Sequence, residues 1–321
     1  MTDTRNTLQL IIPQHLAGCT IKQFLREELH FSMHQISRVK YRPEGFRVNG
    51  GTRRVNSTLL AGDVLSFSID DPEPVSGTFS GKDEETFRSR ASENAYEEDI
   101  SILFEDDYIL AADKPAGMVS HPSHGHHGDS ALDILRKKYG RLYLIGRLDK
   151  DTAGVLLFAR HVETASLLSK QKENGTLQKT YLAAIPGTIV PESGAITVPI
   201  GVIRDNPLKM APDPVHGKTA VTHYRTLEVK TDGEGRTYSV LSVTIEHGRT
   251  HQIRVHLASA GHPLIGDPIY GNTGQTRISG SFSQTHTCLI ASEMTFRHPY
   301  SGETVAVRSP RCSFAVTGIS R

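Results

Sequence analysis

The segment that most constrains the fold lies at residues 146–160 and reads GRLDKDTAGVLLFAR. Its apolar run at 155–159 has the length and the β-branched start of a buried strand. Gly154 permits a tight backbone bend in front of that run. We therefore predict that Asp149 lies on a loop that a core strand holds in place and that a ligand can reach. A surface turn with a solvated Arg–Asp pair is the alternative, and this segment alone does not decide between them.

The distribution of charge divides the 321 residues into three parts. Residues 1–69 carry nine Lys and Arg against five Asp and Glu, and residues 100–321 carry twenty-four against twenty. Residues 70–99 carry three against ten and few apolar residues, so we predict a flexible acidic linker between two domains. The mildly basic domains suit a polyanionic partner, although many soluble domains have a similar charge.

Several protein classes are disfavoured by the composition. No apolar run approaches ~18 residues, so we expect no transmembrane helix and no membrane partner. The first ten residues lack the pattern of a signal peptide, and the three cysteines are far apart. We therefore expect a cytoplasmic protein without a disulfide framework. A monomer is the default expectation, because no unpaired apolar helix stripe is evident.

The small domain at 1–69 combines helices with short strands. Capping boxes at Thr20 and Ser32 begin two predicted helices, at 21–30 and 32–41, and strands are predicted at 46–48, around Val55 and at 64–67. Two short helices followed by FRVNG and LLAGDVLSF resemble the RNA-binding domain first known from ribosomal protein S-four. We expect a one-sided basic surface for RNA phosphates, formed by Arg38, Lys40, Arg42, Arg53 and Arg54. A solvated basic helix face is the alternative.

In the larger domain, at 100–321, strands and helices are interspersed without a regular βαβ rhythm. This order predicts an α+β fold with a large mixed, mainly antiparallel sheet. Helices are predicted at 130–139, 162–172 and 250–259, and strands at 102–105, 108–113, 179–185, 218–229, 237–246 and twice within 288–308.

Four segments of this domain carry most of the functional signal. They read DKPAGMVSHP (113–122), GRLDKDTAGV (146–155), KTYLA (179–183) and GRTHQIRVHLASAGHPLIGDPIYG (248–271). In this order they resemble the RluA family of RNA pseudouridine synthases, over nearly all of residues 100–310. Gly146, Ala153 and His247 stand where many members have His, Ser and Thr, which leaves the RNA target open. The resemblance implies that structured RNA, rRNA first and tRNA second, is the substrate, and that no cofactor is used.

The chemistry implied by this family needs one carboxylate. Uridine becomes pseudouridine when its glycosidic bond breaks, the base rotates, carbon-5 bonds to the sugar and the carbon-5 proton leaves. Asp149 matches the R-L-D aspartate of the family and is the expected catalytic group. A carboxylate in a partly dry pocket needs a neighbouring cation, and the resemblance assigns that role to Arg254. Tyr181 matches the active-site tyrosine, whose ring can stack on uracil and whose hydroxyl could relay a proton.

The target base must leave the RNA stack before a carboxylate can reach it. Arg147 is the expected wedge, because its planar head can fill the place of a base. We also expect His121 and His251 to contact the substrate. Three of these residues also have an ordinary structural explanation. Tyr181 could be a core tyrosine, Arg254 could form an ion pair on a helix surface, and Arg147 could be a solvated turn residue. The four segments occurring in order outweigh these separate explanations.

The sequence also contains a histidine tract and is compatible with two rival functions. HPSHGHHG at 121–128 could suggest a metal site, but no H-E-x-x-H motif is present and its glycines suit a mobile loop. We therefore expect no metal. One rival is a catalytically inactive RNA-binding factor for ribosome assembly, and the other is a His-ligated metal-dependent hydrolase.

Overall fold

The computed structural model describes residues 7–29, 31, 33–40, 42, 45–69, 100–123, 128–203, 206–271 and 286–311. The α-helices in these ranges are α1 (Ile21–Glu27), α2 (Met33–Lys40), α3 (Ala131–Tyr139), α4 (Val162–Glu173) and α5 (Gln252–Ser259). The strands are β1 (Thr7–Ile11), β2 (Phe46–Val48), β3 (Gly51–Arg53), β4 (Val64–Ser68), β5 (Ser101–Glu105), β6 (Ile109–Lys114), β7 (Tyr143–Leu144), β8 (Ala153–Ala159), β9 (Gln178–Pro186), β10 (Ser193–Ile196), β11 (Ile200–Ile203), β12 (Asn206–Pro212), β13 (Val221–Thr231), β14 (Thr237–Glu246), β15 (Leu289–Arg297) and β16 (Thr304–Arg308). None of these helices is long and apolar enough to span a membrane.

A ten-stranded sheet organises the larger part of the chain, and it confirms the predicted α+β fold. Its order is β10-β13-β14-β9-β15-β8-β6-β5, with β16 added to β15 and β7 added to β8. The β15–β8 pair is parallel, whereas the other described pairs of this sheet are antiparallel. A separate two-stranded sheet is formed by β11 and β12.

Strand β8 lies inside this sheet, between β15 and β6, and is buried along its whole length. Leu156 and Phe158 pack into the core beneath α3 and α5, whereas Val155 and Leu157 pack on the other face with Leu168 of α4. Because side chains alternate between the two faces of a strand, a strand covered on both faces is apolar without interruption. This is why the apolar run in the sequence predicted a buried strand, which the structure confirms.

The N-terminal part forms its own sheet, in the order β1-β4-β2-β3, with α1 and α2 packed on it. The capping box at Thr20 is confirmed: the Gln23 amide donates to the Thr20 hydroxyl at 3.2 Å, and the Thr20 amide donates to the Gln23 side chain at 2.9 Å. The strand predicted around Val55 is instead β3, because Val55 lies in the turn that follows. Ser32 and the predicted linker at 70–99 lie outside the described residues.

The N-terminal part packs directly against α4. The Arg42 guanidinium donates to the Glu163 carboxylate at 3.0 Å and to the Ser68 carbonyl, and the Arg42 side chain is only 7% exposed. Leu167 of α4 is buried in the same cluster as the N-terminal core. Arg42 is therefore an anchor between the two parts, and its assignment to an open phosphate-binding surface is wrong. A buried guanidinium that is paired with a carboxylate is poorly placed to contact RNA.

Parts of the larger domain differ from the predictions. Strands β10, β11 and β12 were not predicted, because they are short and are interrupted by Gly and Pro. The helix predicted from residue 250 begins at Gln252, because His251 has the left-handed φ of 56° and ends the preceding turn.

The start of β8 depends on a close backbone approach. Gly154 has a φ of +111°, and its neighbour in the parallel pair is Ala291 of β15. A Cβ atom on Gly154 would lie 2.2 Å from the Ala291 carbonyl oxygen, far inside van der Waals contact. Only glycine can hold this backbone conformation at this distance, so Gly154 fixes where the preceding loop enters the sheet.

We predict that Gly154→Ala destabilises the protein by about 3 kcal/mol or more, because the added methyl group meets backbone and the φ angle is strained. Chemical unfolding of the wild type and the variant measures this loss. Gly233→Ala is the matched control, since a Cβ atom there meets nothing within 4 Å. Equal stability of the two variants would contradict the proposed role of Gly154.

Candidate active site

Asp149 lies on the loop that leads into β8, and its side chain is 27% exposed. The 113–122 segment braces this loop. The Ser120 hydroxyl donates to the Leu148 carbonyl at 2.7 Å and accepts from the Leu148 amide at 3.0 Å. The Gly117 amide donates to the Lys150 carbonyl at 2.9 Å. Asp149 is thus held on both sides by backbone hydrogen bonds while its carboxylate stays partly open.

A buried lysine at the end of β6 adds to this bracing. The Lys114 ammonium donates to the carbonyls of Pro115 (2.8 Å), Met118 (2.7 Å) and Lys150 (3.1 Å). Burial lowers its pKa to about 7, although the negative charges of Asp149 and Asp151 act in the opposite direction. The sequence prediction did not include Lys114 as a functional residue; a charged side chain at the end of an apolar strand was the available signal.

Helix α5 carries the cation of the site. Gln252 donates to the Val221 carbonyl at 2.8 Å, and the His256 ring is hydrogen-bonded to the Thr222 hydroxyl at 2.8 Å. These bonds fix the helix on β13, so the guanidinium of Arg254 is held in a buried position. His256 is therefore a structural residue.

Arg254 bridges two carboxylates. Its Nε and Nη2 atoms donate to the two carboxylate oxygens of Asp267 at 2.7 and 2.8 Å. Its third nitrogen, Nη1, lies 3.9 Å from Oδ2 of Asp149. The structure therefore brings Arg254 and Asp149 together, as expected. The dominant partner of Arg254 is Asp267, which the sequence prediction did not include although it belongs to the G-D-P-x-Y-G motif.

Asp267 remains ionised because of its surroundings. Burial alone would raise the pKa of its carboxyl group, but the hydrogen bonds and charge of Arg254 outweigh burial and hold that pKa below its usual range. The amides of Ile269 and Tyr270 donate to the same carboxylate at 2.9 and 3.1 Å. The Arg254–Asp267 pair therefore joins α5 to the turn at 267–270.

Tyr181 lies on β9, between β14 and β15, and is 6% exposed. Burial, and then the negative charge of Asp149, raise the pKa of its hydroxyl group. The hydroxyl therefore stays protonated at neutral pH. Tyr181 packs in the apolar core and is also an electrostatic neighbour of Asp149, and its active-site role stays a prediction.

His251 and Tyr270 form a second layer beside Arg254. The His251 Nδ1 atom is 2.9 Å from the Tyr270 hydroxyl, and the Tyr270 ring centroid is 5.4 Å from the Arg254 guanidinium. Burial lowers the pKa of His251, with Asp149 acting against this effect. The Tyr270 hydroxyl also accepts from the Met210 amide at 2.9 Å, so Tyr270 connects the site to β12. Tyr270 was not predicted to be functional.

The other predicted contact residues lie at the surface. Arg147 and His121 are exposed, and the His121 Nδ1 atom is 2.8 Å from the Pro122 carbonyl oxygen. Lys40, Arg53 and Arg54 are exposed in the N-terminal part, whereas the side chain of Arg38 is outside the described residues. His124, His126 and His127 also lie outside them. In the part of the chain that is described, no three His, Cys, Asp or Glu side chains are arranged to hold a metal.

Comparisons with known proteins identify the family. The family model described as RNA pseudouridylate synthase matches residues 108–259. A ribosomal large subunit pseudouridine synthase D of Nitrosomonas europaea is 31% identical over 316 residues, which cover 96% of this chain and 86% of that protein. The chain belongs to the RNA pseudouridylate synthase family. The resemblance to RluA-type enzymes is thereby confirmed.

A second relative and a solved structure support the same family. The protein of the same name in Xanthomonas campestris pv. campestris is 29% identical over 318 residues, which cover 94% of this chain and 88% of that protein. The solved structure of human RNA pseudouridylate synthase domain containing 1 has a TM-score of 0.55 and 25% identity, covering 67% of this chain and 84% of that chain. The protein is an RNA pseudouridine synthase, an isomerase that acts on uridine in RNA. Both rival functions, the inactive assembly factor and the hydrolase, are thereby disfavoured.

We predict that Asp267→Asn lowers the free energy of unfolding by about 3–5 kcal/mol, because the buried Arg254 loses its charged partner. We also expect pseudouridine formation to fall at least ~10-fold, since the guanidinium beside Asp149 is no longer held in place. Chemical unfolding and single-turnover assays measure the two effects. Asp232→Asn is the control, because Asp232 pairs with the partly exposed Arg236 in the β13–β14 hairpin.

The same pair predicts a pH dependence of stability. The pKa of Asp267 is depressed on folding, so its contribution is present above the unfolded pKa of ~4 and is lost as pH falls through the lower folded pKa. In the Asp267→Asn variant, the free energy of unfolding should therefore fall less steeply than in the wild type as the pH is lowered below ~4. A variant that keeps both the wild-type pH dependence of stability and the wild-type rate would contradict the role of this pair.

Proposed function

We propose that Asp149 starts the isomerisation, that Arg254 supplies its counter-charge and that Tyr181 completes the catalytic set. The observation that carries this proposal is the 3.9 Å separation between Arg254 Nη1 and Asp149 Oδ2. This distance exceeds that of a hydrogen bond, so the ion pair with Arg254 does not occupy the oxygens of Asp149. Because Asp267 already satisfies Arg254, Asp149 keeps a nearby positive charge and a reactive carboxylate at once.

The carboxylate can act at the base, at the sugar carbon or on a sugar proton, and each route ends with carbon-5 bonded to the sugar. The ring of Tyr181 offers a flat apolar surface against which the detached uracil can rotate. Its hydroxyl stays protonated for the reasons given above, so it can hydrogen-bond to the uracil or pass on the carbon-5 proton. His251, close to Arg254 and Asp149, is the proposed second contact with the nucleotide.

The target base reaches Asp149 by leaving the RNA stack. Arg147 is exposed and lies two residues before Asp149 on the same braced loop. In the proposed mechanism, its planar guanidinium takes the place of the extruded base. Extrusion costs least where RNA is already unpaired, so loops in structured RNA are the preferred substrates. His121, exposed at the end of the bracing segment, lines the same approach.

The proposed substrate is the large-subunit rRNA, with tRNA as the second candidate. The support is that the Nitrosomonas and Xanthomonas relatives, which this chain matches over most of its length, are both named ribosomal large subunit pseudouridine synthase D. Pseudouridine mapping of rRNA and tRNA from cells with and without the gene tests this assignment. A change confined to other RNA classes would overturn it. A cytoplasmic monomer is the proposed form of the enzyme.

The N-terminal part is the proposed RNA-capture domain, with the S-four-like fold expected for residues 1–69. Lys40, Arg53 and Arg54 are exposed there, and Arg53 ends the β2–β3 hairpin. Cations presented this way neutralise phosphates without reading sequence, so they position RNA while the larger domain, at 100–321, selects the uridine.

We predict that Asp149→Asn abolishes pseudouridine formation without loss of stability. The change is nearly isosteric, the side chain is partly solvated, and the Arg254 guanidinium lies 3.9 Å from it rather than at hydrogen-bond distance. Single-turnover conversion and thermal unfolding are the measurements, with reintroduction of wild-type or variant genes into deleted cells as the cellular counterpart. A variant that converts uridine near the wild-type rate would show that another group starts the reaction.

We predict that the double variant Arg53→Gln/Arg54→Gln weakens RNA binding and lowers the salt slope of log affinity by about two units, one per phosphate contact. Point substitutions are preferable to truncation, because removing the N-terminal part would expose Leu167 and leave the buried Glu163 without Arg42. Lys137→Gln/Lys138→Gln on α3 removes the same charge elsewhere and should leave most of the slope intact. Equal slopes for the two double variants would contradict the capture role.

A further inference from the structure

Two lysine side chains converge on the bare backbone of Gly146, next to Arg147. Gly146 has a φ of +79° and carries no side chain. The position that a Cβ atom would occupy there lies 3.3 Å from Nζ of Lys172 and 3.6 Å from Nζ of Lys179. Both ammonium groups therefore border one small space over the loop that carries Asp149.

The two lysines come from different elements. Lys172 lies in the last turn of α4, and Lys179 lies near the start of β9, two residues before Tyr181. Side chains two residues apart on a strand share a face, so Lys179 lies on the same face of β9 as Tyr181. The turn between α4 and β9 thus places both cations at the edge of the active site.

Neither ammonium group has a partner in the described part of the chain. In that part the side chains of Lys172 and Lys179 form no hydrogen bond or ion pair; Lys179 is partly buried and Lys172 is exposed. Burial, and then the positive charge of Lys172, lower the pKa of Lys179 to about 8. Partly buried charges are normally paired, because an unpaired one loses hydration without compensation. An anion between the two lysines would supply the missing partner of Lys179 and would also contact the exposed ammonium group of Lys172.

A purely structural explanation accounts for only one of the two. A lysine in the last turn of a helix is favoured by the helix dipole, which explains Lys172 without any ligand. Lys179 is on a strand, gains nothing from that dipole and has a like charge as its neighbour. The convergence of the two over a residue without a side chain is what points to a ligand.

We propose that Lys172 and Lys179 bind one phosphodiester group of the substrate RNA over Gly146. This inference rests on the proposed function, because it identifies the RNA backbone as the anion. Gly146 is three residues from Asp149, so the phosphate is one that flanks the extruded uridine. The missing side chain leaves room for phosphate oxygens to approach both ammonium groups at ~2.8 Å. Arg147 then enters the stack beside a backbone that is already held.

Equilibrium binding of an unmodified substrate RNA over a range of salt concentrations tests the site. Lys172→Gln/Lys179→Gln should weaken binding and lower the salt slope by about one unit, because two lysines neutralise one phosphate. Lys170→Gln is the matched control, since it removes a lysine from an exposed position in the same helical turn. A double variant with the slope of Lys170→Gln would overturn the proposal.

RNA with a single methylphosphonate identifies the phosphate. At one position flanking the target uridine, the uncharged linkage should weaken wild-type binding as much as the double variant does. The double variant should lose nothing further on that RNA. Additive losses at every flanking position would show that the lysines contact no single phosphate. Thermal unfolding should find Lys179→Gln no less stable than the wild type, because the change removes an unpaired charge.

These measurements are independent of catalysis. One outcome is that the methylphosphonate and the double variant cause the same, non-additive loss of binding but the wild type forms no pseudouridine. In that case the proposed catalytic role fails and the phosphate site stands. If pseudouridine forms normally and the two losses of binding are additive, the phosphate site fails and the catalytic proposal stands.

Discussion

The candidate active site is built around the buried guanidinium of Arg254 and its pairing with Asp267. A cation removed from water is tolerated only when it is paired and hydrogen-bonded. Asp267 provides that pairing with both carboxylate oxygens and is itself held by two backbone amides. The pair fixes α5 against the turn at 267–270. It also leaves the third nitrogen of Arg254 3.9 Å from Asp149, so the proposed role of Asp149 requires no change in the Arg254–Asp267 pair.

A second constraint acts on the loop that carries Asp149. Strand β8 is buried on both faces, so the end of this loop cannot shift without disturbing the core. Gly154 allows the loop to join β8 against the backbone of β15, and Ser120 and Lys114 brace it from the other side. Rigid positioning of this kind is what a reactive carboxylate needs, because small displacements of a reacting group reduce rates sharply.

The contact between the N-terminal part and α4 bears on the two proposed RNA-binding surfaces. Arg42 and Glu163 form an ion pair with almost no solvent exposure, and Leu167 is buried by the N-terminal core. The same helix ends at the lysine whose ammonium borders Gly146. RNA held by the N-terminal part and RNA held at Gly146 would therefore meet surfaces supported by one helix, α4.

The buried strand after Asp149, the Thr20 capping box, the α+β class and the family could all be predicted from residue order. The reason is that periodicity, capping and motif spacing are properties of neighbouring residues. The partners of these residues became known from the fold alone. Asp267 is thirteen residues from Arg254, and Glu163 is 121 residues from Arg42. Side-chain pairing depends on how distant elements pack, so Arg42 was assigned to RNA by its position in a basic run, whereas burial beside Glu163 gives it a structural role.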